Sequence, residues 1–342
     1  MKRNITILLV FVCLMCGMVF AEGSKETAEK VAWPAKSINL IVPWNPGDGT
    51  DLAARAYAQA LQNVTGKPVV VINKPGASGS VGTLYASQQA NDGYNILFSA
   101  ETPGTFQIMG ISDIAFESFE GIMMMAEDTK VIVTKGGSAY KTIEDLITAI
   151  KTNPNKIKMA YSSPGASGHI QGLLFKAMGL ETSMTPFGGG AAGLTAVMGG
   201  QVDFTFANAA TTLGYIKSGD LVPLAVFSDK RNQAFPDVPA FTEVLPEAKN
   251  YLPLGFPYCV LVPKGTDPLI VDSVIAASEK AIINPAWLDF LSTRKSYNTL
   301  YEFKGDGVNA YWKNWQSVVN WLLFDAGVTK YSPQKFGIER KK

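Results

Sequence analysis

Short apolar runs alternate with helical periodicities along most of this chain. The run "INLIV" at 38–42 is of strand length, and the segment after it places Ala53, Tyr57, Ala60, Leu61 and Val64 on one helical face. The same rhythm continues: "PVVVIN" before a helix over about 80–89, "NILFS" before a loop, and "VIVT" at 131–134 before "KTIEDLITAIKTNP". In that last segment Thr142 is a natural N-cap, Ile143, Leu146, Ile147 and Ile150 form the buried stripe, and Pro154 helps to stop the helix. A second series follows, with strands in "KMAYSS", "TSMTPF", "VDFTFA" and "LVPLAVF" and helices over about 169–178, 191–198 and 211–217. Beyond a loop-like stretch come the strand "YCVLVP", a helix over 268–283 and an aromatic helix over 308–326. Strand, helix, strand in succession predicts parallel sheets with right-handed crossovers. Two separate series predict two lobes, with the chain end returning to the first and passages between lobes near 131–134 and 256–262. Met123–Met125 and the helically spaced Trp312, Trp315 and Val319 read as core.

The first residues break this rhythm. "MKRN", an apolar run over 5–20 and "VFA" read as a signal peptide cleaved after Ala21, because a core of about 16 residues is short for a membrane span. Cys16 in "CLMCG" offers a lipid-anchor alternative, but Cys13-Leu14-Met15 lacks the small residue usual ahead of a lipidated cysteine. Simple export to the periplasm or another extracytoplasmic space is the expectation. Cleavage removes Lys2 and Arg3 and no acid, leaving 28 basic against 29 acidic residues. Near-neutral charge without a basic tract gives no footprint for nucleic acid. Cys259 then stands alone in an apolar strand, which excludes an internal disulfide and reads as core.

Open α/β sheets bind ligands beyond the carboxyl ends of their strands. The loops so placed are Trp44–Asp51, Ser99–Gly104, Ser162–His169, Phe187–Ala192 and Ala207–Thr211, all rich in Gly, Ser, Thr or Asn. They nominate Trp44, Ser99 and Glu101 beside the residues named below. Backbone N–H groups, hydroxyls and helix starts suit a small anion better than acid–base work. The phosphate-loop reading fails, since "GDGTDL" lacks the third glycine of G-x-G-x-x-G and no G-K-[ST] follows. A calcium loop needs alternating ligands and a distal Glu, whereas Asn45, Asp48 and Asp51 are spaced by three. One His and one mature Cys offer no metal set, so neither metal nor cofactor is expected. Asp51 can simply be a favourable charge in a first helical turn. A hydrolase using Ser167 and the single histidine, His169, is the enzymatic alternative, but "GASGH" is not the G-x-S-x-G elbow.

Taken together in order, "PWNPGDGTD", "INKPGASGSVG", "NDGYNILF", "YSSPGASGH", "TPFGGGAAGLTAVMGGQVDFTFAN", "YIKSGDLVPLAVFSDKR" and "FPDVPAFTE" resemble the substrate-binding proteins of tripartite tricarboxylate transporters, the TctC or Bug family. The resemblance covers nearly all of 33–332. It implies a type II periplasmic-binding-protein-like α/β fold with two lobes, a ligand cleft and two crossover strands. The division expected is a signal peptide at 1–21, a linker at 22–33, a first lobe from 34–132 and 256–342 with C-terminal helices, and a second lobe at 133–255.

The implied function is extracytoplasmic capture of a small organic acid or amino acid by a monomer, which delivers it to the membrane permease subunits; the protein is not expected to be an enzyme. A receptor feeding a membrane kinase is the alternative that needs the same cleft. By position, the resemblance nominates Asn45, Gly47, Asp48, Gly49 and Thr50 on one side. Ser162, Ser163, Ser167 and His169 face them, with Gly188, Gly189 and Asn208 on the same lobe, while Asp51 orders the loop or receives an amino group. The family usually has Gly where Asp48 stands, and an extra carboxylate beside an anion site costs affinity unless it meets a cation, hydroxyl or proton. Asp48 therefore implies a ligand with an amino or hydroxyl group near its carboxylate.

Overall fold

The computed structural model describes residues 33–341 apart from 252–254; the expected signal peptide at 1–21, the alternative anchor at Cys16 and the linker from 22 to 32 lie outside the described residues. Two sheets organise the chain. The first contains β1 (Ile38–Val42), β2 (Val69–Asn73), β3 (Asn95–Ser99), β4 (Phe119–Asp128), β10 (Phe256–Pro263) and β11 (Tyr297–Thr299), in the order β11-β4-β10-β3-β1-β2. The second contains β5 (Lys130–Lys135), β6 (Lys158–Tyr161), β7 (Ser183–Pro186), β8 (Phe204–Asn208) and β9 (Leu221–Phe227), in the order β7-β6-β8-β5-β9. β1 lies between β2 and β3, parallel to both, and β6 lies between β7 and β8, likewise parallel. β5 and β10 run antiparallel to their neighbours. The central strands are predominantly apolar and buried, as expected of strands covered on both faces, and β10 is buried at every residue.

The passages between lobes fall ahead of where the apolar pattern puts them. Val131–Thr134 lies wholly inside β5, bonded to β8 and β9, and Phe256–Val262 lies inside β10, bonded to β3 and β4. A strand paired on both edges is committed to its sheet, so the chain changes sheets at Thr129, the one residue between β4 and β5, and again within 228–255. The elements that escaped the pattern include β4, whose Met123–Met125 is indeed core, the short edge strand β11 and a helix over Pro285–Arg294 capped by Asn284.

The returning chain closes the first lobe. Helices Pro268–Ala281 and Pro285–Arg294 pack on the helix Gly49–Thr65, where Tyr57 and Ser278 share a buried hydroxyl–hydroxyl bond of 2.7 Å. The helix Asp306–Asp325 buries Trp312, Trp315 and Val319, with Trp312 stacked on Phe116, and Cys259 is buried and unpaired as its strand predicts. That helix also touches Ser167–Ala177, so one apolar cluster runs from Met124 and Trp312 to Phe175 and Phe204 of the second lobe.

Candidate functional site

The carboxyl ends of β1 and β3 face those of β6, β7 and β8, and each of these strands leads into a turn and a helix or short helical turn. Gly47 has φ +85°, a conformation that favours glycine, and its N–H donates to Asp51 Oδ2 at 2.8 Å. Asp51 also accepts Arg55 Nε at 2.9 Å and Asn73 Nδ2 at 2.8 Å. Burial raises the pKa of Asp51, but the bonds from Arg55, Gly47 and Asn73 together outweigh it and hold the carboxyl below its ordinary value. Of its two expected roles the geometry fits ordering the loop, because both carboxylate oxygens are occupied. A group with a depressed folded pKa stabilises above its unfolded pKa, so this contribution is lost as pH falls below about 4. Asp51→Asn is expected to lower stability at neutral pH by about 1–2 kcal/mol, and by less in acid, in denaturant titrations; equal losses at both pH values would remove Asp51 as the charged keystone.

A cavity of about 210 Å³ opens between these turns. It is well below the roughly 300–1,000 Å³ of drug-sized sites and suits a small metabolite. Of the sequence candidates, Trp44, Gly47, Asp48, Gly49, Thr50, Ser162, Gly189 and Asn208 line it. Trp44 is nearly buried and its indole N–H has no partner among the described residues. Gly49 sits where a side chain would collide with the Asn208 amide and meet the Tyr258 hydroxyl at 3.0 Å.

The other candidates do not line the cavity: most are buried near it, whereas Asn45 and Gly188 are exposed. Ser99 is fully buried, its hydroxyl turned to the Ala100 carbonyl. Ser163 is buried, its hydroxyl without a partner among the described residues, and Gly188 supplies a left-handed turn residue with φ +74°. Asn45 lies beside Asp48, its amide partly offsetting the effect of burial on that carboxylate. His169 stacks on Tyr161 and accepts the Gly165 N–H at Nδ1 over 3.2 Å. Burial pushes its pKa down to about 4, so the ring is neutral. With Nδ1 accepting, the neutral ring carries its proton on Nε2, and among the described residues no hydrogen bond joins the ring to Ser167. The hydrolase alternative therefore lacks its base, and the histidine pins the loop.

The residue that the motifs missed is Lys130. It opens β5, is only 5% exposed, lines the cavity and donates to Asn208 Oδ1. Its ammonium lies 4.5 Å from the centre of the Phe256 ring. Burial pushes its pKa below the ordinary value, partly offset by Glu101, Asp128 and Asp48. Those acids have a common arrangement. Asp48 Oδ1 accepts the Ala191 N–H at 3.1 Å, Glu101 Oε1 that of Ser167 at 2.7 Å, and Asp128 Oδ2 that of Ala210 at 3.3 Å. Each thus lies on a helix start of the second lobe while itself following or ending a strand of the first. Burial raises the pKa of all three, and Lys130 lowers those of Glu101 and Asp128 in part. The available signal for Lys130 was its setting: "EDTK" puts four polar residues between the apolar runs "GIMMMA" and "VIVT".

Among the described residues no group of three or more His, Cys, Asp or Glu is placed to hold a metal ion. The cavity wall instead combines the Lys130 ammonium, the Asp48 carboxylate, an indole N–H, hydroxyls and the uncapped start of the Gly49–Thr65 helix, which is equipment for holding a small anionic ligand.

A family model described as "Tripartite tricarboxylate transporter family receptor" matches residues 53–302. BugT of Bordetella pertussis is 32% identical over 251 residues, 70% of this chain and 74% of that one. The structure of the periplasmic binding protein BugD superposes with a TM-score of 0.79 at 28% identity, covering 87% of this chain and all of that one. An R. palustris protein solved with adipate shares the fold, with a TM-score of 0.79 at 22% identity over 86% of this chain and 98% of that one.

Proposed function

Because the chain belongs to the tripartite tricarboxylate transporter receptor family, we propose that its cleft takes up a small organic acid or amino acid by one carboxylate and hands it to the membrane subunits of such a transporter. The protein is a non-catalytic, extracytoplasmic solute-binding receptor. Export by cleavage after Ala21, with no lipid on Cys16, goes with that role.

The observation that carries the reading is Lys130, a buried ammonium on the cavity wall opposite the start of the Gly49–Thr65 helix, whose first turn has no side-chain cap. A carboxylate between them meets a positive charge and free backbone N–H groups together. Trp44 Nε1, Thr50, Ser162 and Asn208 are the further ligand contacts in this reading, while Ser99, Ser163, Ser167, His169 and Gly188 shape the wall. Contact with both lobes is what lets a ligand shift an open–closed equilibrium, since only differential affinity for the two states can do so.

Mass spectrometry of the small molecules released on denaturing the purified protein is expected to yield a carboxylic acid. Calorimetry should then show that compound binding at least roughly a hundredfold more tightly than its primary amide. Release of a neutral compound, or equal affinity for acid and amide, would overturn the carboxylate reading.

A further inference from the structure

Three helices of the second lobe begin without a cap of their own. The residues ahead of Ser167–Ala177, Gly190–Met198 and Ala209–Ser218 are Ala166, Gly189 and Asn208, and none makes a side-chain cap. Thr142, Asp267 and Asn284, by contrast, cap the helices that follow them. The uncapped starts are served across the cleft by Glu101, Asp48 and Asp128 respectively. Helix starts that could otherwise receive a ligand's anionic groups already carry the protein's own carboxylates.

We propose that Asp48, Glu101 and Asp128 make the cleft selective for ligands that pair a single carboxylate with an ammonium group, and that they turn away dicarboxylates. This rests on the carboxylate reading above. The three acids share one buried ammonium, Lys130, so the cleft holds no further counter-charge for a ligand's second carboxylate. Asp48 also supplies the place for a cation: it is 7% exposed and lines the cavity, and while Oδ1 is held by Ala191, Oδ2 accepts no well-formed hydrogen bond among the described residues, the Asn45 amide beside it giving only partial relief. A buried carboxylate oxygen without a well-placed donor is costly, and a ligand ammonium relieves it with a charge-assisted hydrogen bond. A second ligand carboxylate at the same place adds like-charge repulsion. Asp48 is thus a specificity-determining residue that touches the ligand, whereas Glu101 and Asp128 act by occupying the neighbouring helix starts.

Calorimetry on two length-matched series tests this: succinate, γ-aminobutyrate, α-aminobutyrate and butyrate, then glutarate, δ-aminovalerate, norvaline and valerate. At neutral pH the best amino acid in a series should bind at least roughly tenfold more tightly than its dicarboxylate. Asp48→Asn keeps the acceptor for Ala191 and the side-chain size, and should bring that ratio to within about threefold by removing the charge. A dicarboxylate that binds wild-type protein more tightly than either amino acid of its length overturns the proposal, as does an unchanged ratio in Asp48→Asn. The wild-type ranking decides the matter alone if that variant fails to fold. Failure of every probe to bind sinks the carboxylate reading together with this one, whereas tight binding of dicarboxylates sinks this one only.

Discussion

Lys130→Met is expected to weaken binding of the protein's carboxylate ligand by at least roughly a hundredfold in calorimetry, the scale of removing one partner from a buried charge pair. Methionine retains much of the side chain's apolar length beside Phe256, so the change removes the charge and the hydrogen bond to Asn208 more than the packing. It also leaves Asp48, Glu101 and Asp128 without their common cation, which disfavours any incoming anion further. The wild-type protein should show the same dependence through pH. Burial sets the pKa of Lys130 below its ordinary value, so rising pH removes this proton before an exposed lysine, at about 10.4, would lose its own. Carboxylate affinity should therefore decline with rising pH on the acid side of that value, and the decline should be absent in Lys130→Met. Near wild-type affinity in the variant would take Lys130 out of the site.

A methyl group at Gly49 is expected to be nearly as damaging, by another route. A Cβ there collides with the Asn208 amide, and that amide is held by Lys130. Gly49 follows β1 of the first lobe and Asn208 ends β8 of the second, so the collision exists only while the lobes are together. Overpacking of this kind costs about 1–3 kcal/mol, and here the greater part falls on the closed state, since the Tyr258 hydroxyl of the same lobe is a milder contact at 3.0 Å. Gly49→Ala should thus bind roughly 5- to 150-fold more weakly, with an almost unchanged melting temperature. In small-angle scattering it should fail to compact at ligand concentrations that saturate the wild type. Compaction at wild-type concentrations would show that Asn208 moves freely and that Gly49 is not the contact limiting closure.

Local chemistry made much of the fold legible. Thr142 accepts the Asp145 N–H at 3.2 Å while Asp145 reaches back to the Thr142 N–H, and Ile143, Leu146, Ile147 and Ile150 are buried, as that segment's spacing requires. Such a helix depends on partners three and four residues apart, which are printed side by side in the chain. The same holds for the turn at Gly47 and Asp51, where donor and acceptor are four residues apart. The placing of candidate loops at the strands' carboxyl ends drew on a rule of sheet topology and brought half of the nominated residues to the cavity wall.

What escaped is non-local. Asp48 meets Ala191 over 143 positions and Glu101 meets Ser167 over 66, so nothing near either acid announces its acceptor role. Lys130 looks like a polar residue at the edge of a strand until the second sheet and Phe256 bury it. The amino-acid sequence by itself determined the alternation of strands and helices, the two series that become two lobes, the glycine turns at the strand ends and the family to which they belong, because each rests on short-range geometry or on ordered motifs. Only the tertiary structure decided which charges share the cleft, that three helix starts are capped from the opposite lobe, and that one buried lysine stands among three acids, because electrostatic partnership depends on distance through space after burial has removed the water that would otherwise screen it.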